Sequence, residues 1–230
     1  MFDVEVSFRS KVLRLVWIAL VSFLALQALA MVLYPDKGGY SFFYEYLSAL
    51  GMTISHDGAD NLVSCLLFNF SLGAGMLLLI PFWYIRAKCI RGGKWLKTAG
   101  FIFCTGFSLS IIEVALAPYN LLAHIHNFST YSAFAFIVPG CLILIMWANS
   151  NYCRTSYKLA WLGFAILFLI CELIVQVNVV HGVLPSRPTG PIMQKFNIAV
   201  FLVWLTVELI LYGKYLRTHP EPARVPVEQE

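Results

Sequence analysis

The chain has 230 residues, of which 60% are hydrophobic and only 12% charged. A soluble domain of this size carries about 25% charged residues, so the composition excludes an ordinary soluble fold and points to the bilayer. The formal net charge of +4 gives no reason to expect nucleic-acid binding, because the basic residues flank long apolar runs.

A helix needs about 20 apolar residues to cross a bilayer. The alternation of barrel strands is absent, and an open sheet would leave backbone unpaired in lipid. The expected fold is therefore all-α, with six transmembrane helices in one bundle at about 13–34, 61–85, 96–117, 126–148, 158–180 and 193–216. These form a single domain, residues 1–216. The tail 217–230 is rich in Pro and Glu and is expected to be disordered.

The first run lacks a small-x-small cleavage site and continues into "YPDKGGY", so it is read as a retained span. Gln27 falls in its outer half. Residues 35–60 follow, with "YSFFYEYLSAL" at their centre. That stretch suits a short interfacial helix with its aromatics at headgroup depth. Gly51 would stop it, and Asp60 or Asn61 would cap the second span.

In the second span Asn61, Cys65, Asn69 and Gly73 recur every four residues and make one stripe. Glu113 lies roughly 6 Å below the outer end of the third span by helical rise. "APYNLLAHIHNF", 117–128, is expected to connect spans three and four, with Pro118 as the stop and His124 one turn from Asn120. In the fifth span Glu172 lies roughly 12 Å below the outer end, with Gln176 one turn above it. In the sixth, Gln194, Asn197, Phe201, Trp204 and Glu208 share a face. Glu208 sits near the inner end, where Lys214 or Arg217 is its expected partner.

Thirteen of the 16 basic residues fall on one side: the N-terminal flank, the connections after spans two and four, and the tail. The positive-inside rule puts both termini in the cytoplasm. Lys37, Arg187 and Lys195 are left outside. Polar residues within spans are costly and face protein or water, and here they crowd into the outer half. A polar cavity open to the outside and closed below by apolar packing is expected. Helix-to-helix hydrogen bonds, each worth about 0.6 kcal/mol, are the alternative.

His124 with Glu113 or Glu172 makes a candidate acid–base set, because a carboxyl in apolar surroundings holds its proton more tightly. Ser48, Asn69, Asn120, Gln176, Arg187, Gln194 and Lys195 are candidate substrate-binding residues. Arg187 and Lys195 suit a phosphate or carboxylate head group. No H-E-x-x-H, paired E-x-x-H or G-x-S-x-G pattern is present, so no metal or cofactor is expected. The six cysteines form no C-x-x-C pair and read as packing residues.

Three segments in order carry a resemblance: "YSFFYEYLSALG" with "NLVSCLLFNFSLGAGMLLL", then "APYNLLAHIHNFSTYSAFAF", then "MQKFNIAVFLVWLTVELIL". Together they resemble the six-helix membrane family known as domain of unknown function 998. More distantly they resemble the DRAM, Sfk and Frag group, which includes a GPI-anchor remodelling factor. The resemblance covers about residues 30–215. It implies Ser48, Asn69, Pro118, Asn120, His124, Gln194 and Lys195 as family positions. The acidic residue that usually follows the proline is an asparagine here, Asn120.

The expected function is binding or processing of a lipid or lipid-linked substrate from the outer leaflet, with membrane lipids as partners. A small transporter and a membrane scaffold without a small-molecule site are the alternatives.

Overall fold

The computed structural model describes residues 2–146 and 189–218, with isolated positions between 158 and 170. The predicted span 158–180 falls almost wholly outside the described residues. Glu172, Gln176, Arg187 and the tail from residue 219 lie outside them entirely.

The described chain is all-α. Five helices are long and apolar enough to cross a membrane: α1 (Phe2–Val32), α2 (Leu62–Ala87), α3 (Lys94–Leu116), α4 (Tyr119–Met146) and α5 (Thr189–Thr218). α1 starts well before residue 13 because no Gly or Pro interrupts the chain ahead of Pro35. α2 packs on α1 and α3, and α3 on α4. The short α2–α3 and α3–α4 connections make those helices run up and down, and the longer segment 33–61 joins α1 to α2. One end of the bundle carries residues 33–61 and the α3–α4 turn, and is called the loop end. The other carries the basic α2–α3 connection, and is called the basic end.

"APYNLLAHIHNF" is not a connecting loop. Only Ala117 and Pro118 separate α3 from α4. Pro118 lacks an N–H, which suits a helix start, and its carbonyl accepts from Leu121 at 3.0 Å and Leu122 at 2.9 Å. Leu122 then leaves helical geometry (φ −132°, ψ 48°). That break re-aims the rest of α4 against α3.

The segment 40–51 also departs from the expected interfacial helix. Phe42, Phe43 and Tyr44 are exposed, but the following residues make a short 3-10 helix, Leu47–Gly51, with Leu47, Ala49, Leu50 and Gly51 buried. Apolar burial draws that half into the bundle. Beyond it, a β-bridge between Ile54 and Asp60 closes a small hairpin, turned by Gly58 at φ 82°. Asp60 Oδ1 accepts from Leu62 N–H at 3.1 Å, while the N-cap position itself is Asn61, whose side chain makes no capping bond to α2.

Two apolar clusters result. One, at the loop end, joins Ala30, Tyr34, Leu47, Leu50, Met52 and Phe68. The larger runs toward the basic end. In it Trp83 stacks on Trp204 with centroids 5.9 Å apart and donates to Ser108 Oγ at 2.8 Å.

Beyond this aromatic layer the inner half is not purely apolar. Arg86 and Glu208 are both wholly buried, with Nε 2.5 Å from Oε2, and Arg86 Nη2 donates to Leu144 O at 3.2 Å. Glu208 therefore pairs with α2 and not with Lys214 or Arg217. α2 runs two residues past its expected end, which brings Arg86 into the bundle. The pair ties α2, α4 and α5 together. Glu208→Gln leaves a buried guanidinium without its counter-charge, a loss of about 3–5 kcal/mol. Thermal unfolding in detergent should fall sharply for that variant, and the apolar double substitution Arg86→Met with Glu208→Leu should recover most of the loss.

Candidate functional site

The polar stripe on α2 serves one purpose: it holds the backbone of the 3-10 segment. The Ala49 carbonyl accepts from Met52 N–H, and the carbonyls of Leu50, Gly51 and Met52 take their donors from Asn61 and α2. Asn61 Nδ2 donates to Met52 O at 2.8 Å and reaches Leu50 O at 3.3 Å. Ser64 Oγ donates to Leu50 O at 3.2 Å. Asn69 Nδ2 and Cys65 Sγ both reach Gly51 O at 3.2 Å. Gly51 is required there by space: a Cβ would stand 2.8 Å from Asn69 Oδ1 and from Phe68 Cδ1.

α4 and α5 hold the same segment. Asn120 accepts from Thr53 N–H at 3.1 Å and donates to Thr53 Oγ1 at 2.8 Å. Gln194 Oε1 accepts from Leu47 N–H at 2.7 Å. Lys195 Nζ donates to the Glu45 carbonyl and, at 3.4 Å, to Pro191 O. It also lies 5.1 Å from the Phe42 ring centroid and 5.5 Å from that of Tyr40. Four of the residues singled out in the sequence, Asn69, Asn120, Gln194 and Lys195, thus converge on one stretch, residues 45–53.

That stretch roofs a cavity of about 620 Å³ between α1, α2, α3, α4 and α5, within the usual size of ligand sites. On α1 the lining runs from Gln27 to Val16, about 16 Å by helical rise. Polar groups gather under the roof: Tyr46, Ser48, His126, Asn127 and Gln194. One turn further in stand Thr130 and Asn197, and below them the walls are apolar, through Met76, Phe107, Ile111 and Phe134 to a floor that includes Trp204 and Leu205. Burial, and then the nearby phenols of Tyr119 and Tyr131, push the Tyr46 hydroxyl above its ordinary value, so it keeps its proton.

Two histidines line the cavity, His56 from the hairpin and His126 from α4, and His126 is the one held in the bundle. It is buried, with Nδ1 2.8 Å from Ala117 O and its ring edge-on to Tyr119. The sequence had favoured His124, which is exposed on the bundle surface and does not line the cavity. Glu113 is exposed as well, and accepts from the buried Ser129 hydroxyl at 2.9 Å. It lines a separate shallow groove with Phe136 and Leu116. Of the sequence-selected residues, Ser48 and Gln194 line the cavity. The 3.6-residue period is the signal that separates the histidines: from the buried Ser129 and Ala133, His126 falls on the same face of α4 and His124 does not.

Among the described residues no group of three or more His, Cys, Asp or Glu is placed to hold a metal ion. Fold and site define an all-α chain of membrane-spanning type with a roofed, largely apolar cavity. Comparison with protein-family models, curated proteins and solved structures gives no match.

Asn61→Ala removes the donor at Met52 O and leaves that carbonyl unpaired, which amounts to about 1–3 kcal/mol of local stability. Amide hydrogen exchange across residues 47–53 should accelerate roughly five- to hundredfold, with the amides of α3 unchanged.

Proposed function

We propose that this is an integral membrane protein that binds, and in the fuller form of the reading processes, a lipid or lipid-linked substrate in the cavity beneath residues 45–53. One observation carries the reading. The cavity is mostly apolar along its depth, with its polar groups gathered toward the roof and Thr130 and Asn197 the deepest of them, and this matches an acyl or isoprenoid chain with a polar end. Lipid chains lose nothing by entering such a space, and the few polar groups fix the depth at which the head stops.

The proposed orientation has the roof at the outer surface and both termini in the cytoplasm. It rests on the clustering of Lys88, Arg91, Lys94 and Lys97 around the basic end. Trp95, at that end, is 87% exposed, the placement of an interfacial anchor. The resemblance to the domain-of-unknown-function 998 family and to the DRAM, Sfk and Frag group agrees with a lipid-facing role and adds no chemistry of its own. Lys195 is best treated as a clamp on the roof and not as a head-group ligand. His126 replaces His124 as the residue to test for proton transfer.

A second reading, a small transporter, gains from one finding. Polar groups do continue toward the basic end, as the Arg86–Glu208 pair below the Trp83–Trp204 layer, and such pairs mark pathways in membrane proteins. Substrate counterflow in proteoliposomes separates a transporter from a binder.

Native mass spectrometry of protein released from mild detergent tests the first reading. A defined lipid-sized adduct should accompany the parent chain. Met76→Trp, which fills the cavity with apolar bulk, should reduce its occupancy severalfold without lowering the yield of folded protein. A bare parent chain, or an adduct indifferent to Met76→Trp, would move the assignment to a scaffold.

A further inference from the structure

The cavity's own hydrogen-bond bookkeeping narrows its ligand; this step rests on the lipid-binding reading above. Three side chains under the roof have fixed polarity. Ser71 Oγ donates to Phe68 O at 2.9 Å, so its single proton is committed and it must accept from Gln27 at 2.7 Å. The Gln27 amide is therefore oriented with Nε2 toward Ser71, and its carbonyl Oε1 is left as a bare acceptor. That atom is buried, has no partner among the described residues, and belongs to a residue only 6% exposed that lines the cavity. A buried amide carbonyl without a partner is unfavourable by about 1–3 kcal/mol, so the site is incomplete as it stands.

His126 is fixed in the same way. Ala117 O can only accept, so Nδ1 carries the proton, and in the neutral ring Nε2 is a second bare acceptor. Gln194 is the complement. Its Oε1 is taken by Leu47 N–H, so the cavity is offered its Nε2 donor. By helical rise Gln27, His126 and Gln194 each lie about 8–10 Å from the loop-end terminus of their helix.

No Lys, Arg, Asp or Glu lines the cavity among the described residues. Against the described lining a phosphate or carboxylate would be desolvated with no Lys or Arg beside it, only the imidazoles of His56 and His126, which is unfavourable. Lys195, next in sequence to the lining residue Gln194, is held by the Glu45 and Pro191 carbonyls and does not itself line the cavity.

We infer that the ligand is an uncharged amphiphile whose polar end is a hydroxyl, a long-chain alcohol or an acylglycerol, and not an anionic phospholipid. A hydroxyl both donates and accepts. It answers Gln27 Oε1 or His126 Nε2 with its proton, and the Gln194 amide with its lone pairs.

The test uses the full chain in detergent micelles and two probes with the same acyl chains, dioleoylglycerol and dioleoyl phosphatidic acid. They differ only in whether the third position is a hydroxyl or a phosphate. Native mass spectrometry should give at least tenfold tighter binding for dioleoylglycerol. Gln27→Leu and His126→Phe should each weaken dioleoylglycerol severalfold or more, and leave the weak phosphatidic acid signal where it was. Equal or tighter binding of phosphatidic acid would overturn the uncharged class while keeping a lipid in the cavity. Binding of neither probe would overturn the lipid-binding reading itself. Should Gln27→Leu fail to fold, direct competition of the two probes on the parent chain decides the question, and displacement of dioleoylglycerol by an equal amount of phosphatidic acid would refute the assignment.

Discussion

An irregular stretch of backbone cannot sit at the mouth of a membrane bundle unless its amides and carbonyls are satisfied by protein. Residues 45–53 meet that condition through side chains from α2, α4 and α5. The rest of the structure follows from this arrangement. The roof spans three helices that the chain itself joins only in part, so it fixes their spacing at the loop end. The spacing leaves room beneath for a cavity, and the carbonyl-binding stripe keeps most of the polar atoms in the roof and out of the walls. A space with apolar walls and a polar ceiling is what remains.

At the opposite end a different interaction sets the spacing. Arg86 and Glu208 are isolated from water, and each is tolerable there only because the other is present. Paired with the stacked indoles of Trp83 and Trp204, they close the bundle beneath the cavity. Buried pairs of this type add little net stability over apolar packing but penalise any arrangement that separates them. The registry of α2 against α5 is therefore specified by charge, where α2 against α3 is specified by apolar contact and the Trp83–Ser108 hydrogen bond.

Much of this was legible in the sequence. Apolar length located five of the six expected spans among the described residues, because the bilayer dictates it, and the four-residue period of Asn61, Cys65 and Asn69 correctly put them on one face. What they face was not legible: a polar stripe looks the same whether it lines a cavity or grips a backbone. The partner strip, residues 47–51, carries its acceptors on the main chain, where no side-chain pattern announces them. Arg86 was hidden for a related reason. A basic residue near a helix end reads as part of the cytoplasmic flank, and only its partner on α5 distinguishes it. The turn at 117–118 was obscured because the polar residues after Pro118 suggest a loop, while helix formation there depends on the Pro118 carbonyl and on packing against α3. Glu172, Gln176 and Arg187 stand outside the described residues and enter neither side of this comparison.

Gly51 has a consequence for how such a chain can vary. Its missing side chain is the space that Asn69 and Phe68 occupy, and Asn69 in turn binds the Gly51 carbonyl. The two positions are coupled: a methyl group at 51 displaces the amide, and loss of the amide leaves the carbonyl only the weaker Cys65 thiol as donor. The two sites behave as a single heritable unit, so divergent sequences that keep this roof should change both or neither.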